Sequence, residues 1–414
     1  MPRARLLCPQ TEAPWACGIR LVRLLRDGGH QAFLVGGCVR DLLLGRPVKD
    51  ADIATSAEPQ EVERLSALAG LTSVPVGRSF GVVVAVCDGS GYEVASFRRD
   101  GDSQDGRHPQ AIAYTTSAEE DVARRDFTIN ALLYDPIVHE VIDYAGGLAD
   151  LESRHLRTVG DPLRRFSEDR LRVLRALRFA AQLELSIDPA TWTALRATPL
   201  TGLSNERLMQ EWFKGLAGPH RGGWLTLLRS SGHLAELCPP LQTLDGAALD
   251  QLVALNEALG QASPALCAAA WLLPCPESGL AWLQTRPLPS ERIKRIRWLV
   301  DQARQAEQLA DGPKPALRRM LQHAAAAELV QLLCADPRQS ALGERLLQGL
   351  RQEQALGAFQ PLLRAQDLID LGCAPSARLG RLLHRLEDAQ LAGDITTRDQ
   401  GLALAARLVA EPQA

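Results

Sequence analysis

Apolar positions along the chain follow two different periods. Between about residues 30 and 145, short β-branched or aromatic runs end at Gly or Asp. These runs, AFLVGG, VVVAV, YEVASF and EVIDY, predict strands. Between them PQEVERLSALAG predicts a helix entered through Pro59, and AEEDVARRDFTINALLY predicts another. Mixed strands and helices imply an α/β unit. From about residue 150 the period lengthens. FSEDRLRVLRALRFAAQL places apolar residues at 171, 174, 177 and 180–181, one face of a helix. Ser167 is its expected cap, with Glu168 and Asp169 in the first turn, where the helix dipole favours anions. ERLMQEWFKGLAG, GGWLTLLRSSGHLAEL, ALDQLVALNEALG and most of 290–411 continue the helical pattern, separated by Pro/Gly breaks. No fixed-period repeat occurs, so a solenoid is not expected.

Composition narrows the picture. A chain of 414 residues exceeds one typical core, and two to four structural units are expected. No apolar run is long enough to cross a bilayer, and the N-terminus lacks an apolar signal core. The nine cysteines are scattered singly with no C-x-x-C pair, which predicts a reduced, cytosolic compartment, mostly structural thiols and no zinc. The net charge of −3 excludes a bulk polycation, but arginine is dense between 154 and 178, leaving room for a local basic strip.

The chemistry concentrates in FLVGGCVRDLLLGRPVKDADIATS. A strand from Phe33 to Val35 runs into Gly36-Gly37 and then a helix from Val39 to Leu44. Two glycines let the backbone approach a ligand, and helix N-terminal N–H groups suit phosphate. Arg40 adds a guanidinium able to make a bidentate phosphate contact. Alone, this is equally a tight turn. Asp50-Ala51-Asp52 changes the reading: on a strand, i and i+2 share a face. Two carboxylates 4 Å apart in a partly shielded site repel by about 4 kcal/mol, which a divalent cation relieves. Oxygen ligands of this kind suit Mg²⁺, which also coordinates phosphates. Two such ions would activate a 3′-hydroxyl and steady a departing pyrophosphate. The alternative is a solvated acidic turn.

GGCVRDLLLG with KDADIAT, followed in order by SFGVVVAV, YEVASFRRDGDSQDGRHP, RRDFTINAL and FSEDRLRVLRALRFAAQL, resembles the bacterial and eukaryotic class of CCA-adding enzymes and the bacterial poly(A) polymerases. The resemblance covers about residues 30–215. It implies an α/β nucleotidyltransferase head with a polymerase-β-like mixed sheet, followed by an all-α neck, body and tail. The corresponding boundaries are 1–150 for the head, 151–218 for a neck that selects the base, 219–290 for the body and 291–414 for a tRNA-binding tail. It also implies that Gly36, Gly37 and Arg40 hold the triphosphate, and that Asp50 and Asp52 bind the metal. Arg125, Asp126 and Asn130 would contact sugar and triphosphate, and Glu93 is a candidate third acid or a plain surface glutamate. A structural alternative pairs Arg124 or Arg125 with the Glu119-Glu120-Asp121 cluster.

Asp169 and Arg172 are i and i+3, expected as neighbours on one helix face. Either they form an ordinary surface ion pair, or they read a base. A carboxylate accepts and a guanidinium donates. Cytosine and adenine present an amine beside a ring acceptor, whereas uracil and guanine present the reverse. One Asp–Arg pair thus accepts CTP and ATP and rejects UTP and GTP, as the resembled family's protein-side template does. Arg175 and Arg178 continue the stripe toward the phosphates or orient Asp169. The loop at 100–109 matches a mobile family loop used in A addition, and Glu206 and Arg207 would brace the nucleotide-binding helix.

Residues 362–405 resemble the tail of bacterial CCA-adding enzymes, with Ala365 at an expected Gly and Ser376-Ala377 in place of Gly-Pro. Arg364, Arg378, Arg381 and Arg385 are candidates for gripping tRNA, or simply solvated helix charges. No His-Asp dipeptide occurs, so no appended metal phosphohydrolase of that type is expected. The expected activity is addition of CMP and AMP to a tRNA 3′ end with Mg²⁺, with no membrane and no obligate protein partner. Two rivals share the motifs: an enzyme adding A only or making poly(A), and a catalytically silent RNA-binding protein on the same fold. A kinase-like function lacks any P-loop or nucleophile.

Overall fold

A computed structural model of the chain describes residues 3–6, 8–9, 12–77, 81–99, 113–357 and 359–411. The loop expected at 100–109 lies outside the described residues. The chain divides into two compact units, one of Met1–Leu203 with Leu227–Glu236, the other of Ser204–Thr226 with Leu237–Ala414.

The first unit is built on a sheet. Its strands are β1 (Arg3–Arg5), β2 (Ala32–Val35), β3 (Asp52–Thr55), β4 (Thr72–Gly77), β5 (Val82–Cys87) and β6 (Ser90–Ser96). After a short separate ribbon of β7 (Arg98–Arg99) and β8 (Ala113–Tyr114) come β9 (Leu133–Asp135) and β10 (Glu140–Ile142). The order is β1-β10-β9-β2-β3-β6-β5-β4. Every neighbouring pair is antiparallel except β3 and β6, which makes the sheet mixed. Each of the four runs read as strands from the sequence overlaps one, β2, β5, β6 or β10, although the first and last run two residues past their strands. Up to Leu203 the helices of this unit are α1 (Trp15–Asp27), α2 (Gly37–Leu43), α3 (Pro59–Leu68), α4 (Ala118–Ala123), α5 (Gly147–Glu152), α6 (Pro162–Glu168), α7 (Leu171–Leu183) and α8 (Pro189–Ala197). Pro59 opens α3 as expected, where its missing N–H costs nothing.

Three expectations are corrected. The helix read through AEEDVARRDFTINALLY stops at Ala123; a 3₁₀ turn follows at Thr128–Asn130, and Leu133–Asp135 is a strand between β2 and β10. Asp126 accepts from the Phe127 N–H at 2.8 Å, a local bond that competes with helix, and Phe127 bridges Thr158 instead. Second, the helix expected from Ser167 is two helices. Ser167 lies inside α6 and donates to the Arg164 carbonyl at 2.8 Å, while Asp169, in extended conformation, accepts from the Leu171 N–H at 3.1 Å and starts α7. Third, Cys17 in α1 and Cys87 at the end of β5 form a disulfide, not two unpaired thiols. At a sequence separation of 70, spacing gave no hint of it. The remaining seven cysteines are free and, apart from half-buried Cys334, buried.

The second unit is helical. It begins with α9 (Asn205–Ala217), capped by Ser204. Its core gathers Trp212, Trp271 and Trp282 edge to face, with Trp224 tilted against Trp271. Toward the C-terminus, helices at Ala365–Asp370, Ala377–Ala392 and Arg398–Ala410 close over Leu363, Leu368, Cys373, Leu382, Leu386, Ala405 and Leu408. Gly393 ends the middle helix at φ +91°, a conformation that suits glycine. No helix of the described residues is long and apolar enough to cross a membrane.

Candidate active site

β2 ends at Val35, which pairs with Asp52 at the start of β3. The chain then turns at Gly36, with φ +75° and ψ −134°, a region closed to residues with a Cβ. Register alone therefore sets the Gly-Gly turn beside Asp52. The strand begins only at Asp52, so Asp50 stands in the irregular segment before it and not on the strand as expected. It still acts on Asp52. Glu93 precedes Val94, the partner of Ile53 in the parallel pair, and so stands level with Asp52. On β6 Tyr92, Val94 and Ser96 are buried, which sends Glu93 to the opposite, open face.

Asp52 is the electrostatic focus. Burial pushes its carboxyl up to about 6, and the charges of Glu93 and Asp50 push the same way, opposed by Arg125. A half-buried carboxylate beside two other acids is a poor place for negative charge and a good place for a hard divalent cation. Among the described residues, only Cys17, Cys87 and Asp88 bring three such ligand atoms within 4.8 Å of one another, and there the two sulfurs are already joined.

Cations surround the turn. A Cβ at Gly36 would stand 3.8 Å from Arg125 Nη1, and one at Gly37 3.5 Å from Arg40 Nη2. Arg40, 8% exposed, donates from Nε and Nη2 to the two oxygens of Asp41 at 3.0 Å, and from Nη1 to the Asn130 Oδ1 at 2.6 Å. Asn130 Nδ2 donates to Asp126 at 3.4 Å, and Arg175 donates twice to Asp126 Oδ2, at 2.9 and 2.6 Å. Burial raises the Asp126 carboxyl, but the Arg175 charge and these bonds outweigh it and hold it below the usual range. Thus Asp126 and Asn130 engage each other, Arg40 and Arg175 in one network.

Arg172 does not share a helix face with Asp169, because Asp169 precedes α7. Instead Arg172 Nη1 donates to Glu168 at 2.8 Å and to the Arg165 carbonyl at 3.0 Å, and Nη2 to the Arg124 carbonyl at 3.1 Å. The carboxylate four residues before Arg172, not three, takes the ion pair. Arg178 is buried, donates to Gln182 at 3.2 Å and lies 4.3 Å from the Phe179 ring centre. Arg40 and Arg175 approach the same ring, at 5.3 and 5.2 Å. Phe179 gathers three guanidinium groups, a role that sequence reading missed. Its signal was an aromatic next to Arg178 on an arginine-striped helix.

In the C-terminal helices, Arg378 donates to the carbonyls of Leu408, Val409 and Glu411 at 3.2, 2.8 and 2.7 Å, and Arg385 pairs with Glu411 at 2.9 Å. Both tie down the last helix. Arg364 and Arg381 are exposed. Ala365 opens a short helix in which Asp367 accepts from the Arg364 N–H at 2.6 Å, a capping contact that tolerates alanine at that position.

Residues 32–157 match the model of the poly A polymerase head domain. The chain is 37% identical over 324 residues to a CCA-adding enzyme of Geobacillus sp. (strain WCH70), covering 77% of this chain and 78% of that protein. To the CCA-adding enzyme of Geobacillus thermodenitrificans (strain NG80-2) it is 44% identical over 222 residues, 53% of this chain; here it spans about half the relative, 54% of its length. The crystal structure of the Bacillus stearothermophilus CCA-adding enzyme in complex with CTP superposes with a TM-score of 0.77 at 29% identity, over 96% of this chain and 98% of that one. A mixed-sheet head with an acid cluster beside a glycine turn, helices after it, and a relative matched over more than three quarters of both chains lead to one conclusion: the chain belongs to the family of CCA-adding enzymes.

Proposed function

We propose that the protein adds CMP and AMP, taken from CTP and ATP, to the 3′ end of tRNA. The RNA 3′-hydroxyl attacks the α-phosphate and pyrophosphate leaves. The observation that carries this reading is the register that sets Asp52, with Glu93 level with it, beside the Gly36 turn, where Arg125 and Arg40 also come close. An acid cluster and an anion site in contact form the electrostatic pattern of nucleotidyl transfer.

Asp50 and Asp52 would hold Mg²⁺, and the exposed Glu93, level with Asp52, would join them. Bound there, one or two ions supply activation of the hydroxyl and stabilisation of the leaving pyrophosphate. Gly36 and Gly37 leave room for the triphosphate, which Arg40 and Arg125 grip. Asp126 and Asn130 position Arg40 and Arg175 through their network, and sugar contact would draw on the same polar atoms. Asp169 and Arg172, at the α6–α7 junction, select cytosine and adenine. Arg172 must then exchange its bond to Glu168 for one to the base. Arg175 and Arg178 keep the phosphate side basic. On this reading residues 1–150 carry the chemistry, 151–218 select the base, 219–290 form the body and 291–414 meet the tRNA. The protein would work in the cytoplasm, where tRNA ends are made and repaired.

The head-domain match favours poly(A) synthesis as a second reading. One assay separates the two. tRNAs ending before the first C, after one C and after two C residues are incubated with CTP and ATP, singly and together. Extension of each to CCA and no further is expected. Extension only after two C residues indicates A addition alone, and long adenylate tails indicate poly(A) synthesis.

A further inference from the structure

Asp121 lies in α4, is 1% exposed and faces more guanidinium groups than its charge can balance. Its Oδ1 accepts from Arg124 Nε at 2.9 Å and Nη2 at 2.6 Å, and from the Arg98 main-chain N–H at 3.3 Å. Its Oδ2 accepts from Arg125 Nη2 at 3.0 Å. The spacing explains the arrangement: positions i+3 and i+4 lie over position i on a helix, and here the chain leaves the helix just as the second arginine is reached.

One carboxylate facing two guanidinium groups leaves a surplus positive charge. Burial pulls the Arg124 guanidinium down to about 10, with Asp121 opposing and the charges of Arg98 and Arg125 adding to the fall. Arg125 is the group with something left to give. Its Nη1 stands at the Gly36 turn, 3.5 Å from the Asn130 carbonyl, and its buried Nε has no hydrogen-bond partner among the described residues. A buried N–H without a partner is costly unless a ligand supplies one.

We infer that Asp121 is a positioning residue for the nucleoside triphosphate: its carboxylate anchors Arg125 by one guanidinium nitrogen so that the rest faces the phosphates at Gly36. This rests on the reading of Arg125 as a triphosphate contact. Asp121 acts through Arg125, while Arg124 provides the second anchor that keeps the carboxylate in place.

The test is steady-state kinetics of the full chain on a tRNA lacking its terminal CCA, with CTP and tRNA varied separately. Asp121→Asn keeps the shape and removes the charge. It should raise KM for CTP about tenfold, the usual worth of a charge-assisted hydrogen bond, and leave KM for tRNA within about twofold. In an Arg125→Ala background the same substitution should add nothing further to KM for CTP. If D121N raises KM for CTP equally in both backgrounds, or leaves it unchanged while R125A raises it, the inference is overturned and the role of Arg125 stands. If R125A itself leaves KM for CTP unchanged, the reading of Arg125 falls and takes the inference with it. Should D121N fail to fold, Asp121→Glu, which keeps the charge but shifts it by one methylene, is measured in the same two backgrounds with the same criteria.

Discussion

Asp52 holds its proton up to about 6 because it is half-buried beside Glu93 and Asp50. Unfolded, it would release that proton in the ordinary carboxylate range. The folded state therefore binds more protons between those limits, and stability falls as pH rises through them. Above about 6 the full cost is present, on the order of 1–3 kcal/mol without a cation. Asp52→Asn should raise the thermal midpoint by a few degrees at pH 8 in metal-free buffer, and the gain should shrink as pH falls toward 4. Added Mg²⁺ should stabilise the wild type and not the variant, closing the gap. Equal midpoints at pH 8 without metal would show that the acid cluster is not strained. The carboxylates themselves were plain in the sequence as Asp50-Ala51-Asp52 and Glu93. What the sequence could not give was the register of β3 on β6, a contact across 40 residues that sets Glu93 level with Asp52.

The elements show where sequence reading succeeds and where it stops. Strands with a strong apolar pattern, such as β2, β5 and β6, were legible because each carries its own burial signal. β9 was hidden in a run that reads as helix, and only its place between β2 and β10 makes it a strand. The break between α6 and α7 was hidden for the opposite reason: apolar spacing stays helical through it. Its cause is Asp169, whose side chain takes the Leu171 N–H and restarts the helix. Asp169 thus serves both the junction and, in the proposed function, the choice of base. Asp169→Ala should lower stability by about 1 kcal/mol, as loss of a helix cap does, and should let UTP and GTP compete with CTP and ATP. Thermal melts and misincorporation assays read the two effects separately. Retained discrimination against UTP and GTP would remove Asp169 from base selection.

For the molecule as a whole, a net charge of −3 conceals a local gathering of guanidinium groups around Phe179 in the first unit. The four tail arginines named from the sequence are not equivalent. Arg378 and Arg385 are spent on the last helix, whereas Arg364 and Arg381 are exposed and are the candidates for a phosphate backbone. Replacing both Arg364 and Arg381 by alanine should weaken tRNA binding and flatten its salt dependence, by close to one unit of slope per lost phosphate contact. KM for CTP should not move. A salt dependence identical to the wild type would place the RNA elsewhere.

The most direct measurement is single-turnover addition of labelled CMP to a tRNA lacking CCA, comparing the wild type with Asp50→Asn and Asp52→Asn at saturating CTP and Mg²⁺. Loss of a partner that merely supports a metal ligand costs ten- to a hundredfold, so losing a ligand itself should slow addition by more than about a hundredfold in each variant. Rates within a few-fold of the wild type in either variant would contradict the assignment of Asp50 and Asp52 as the groups that hold the catalytic metal.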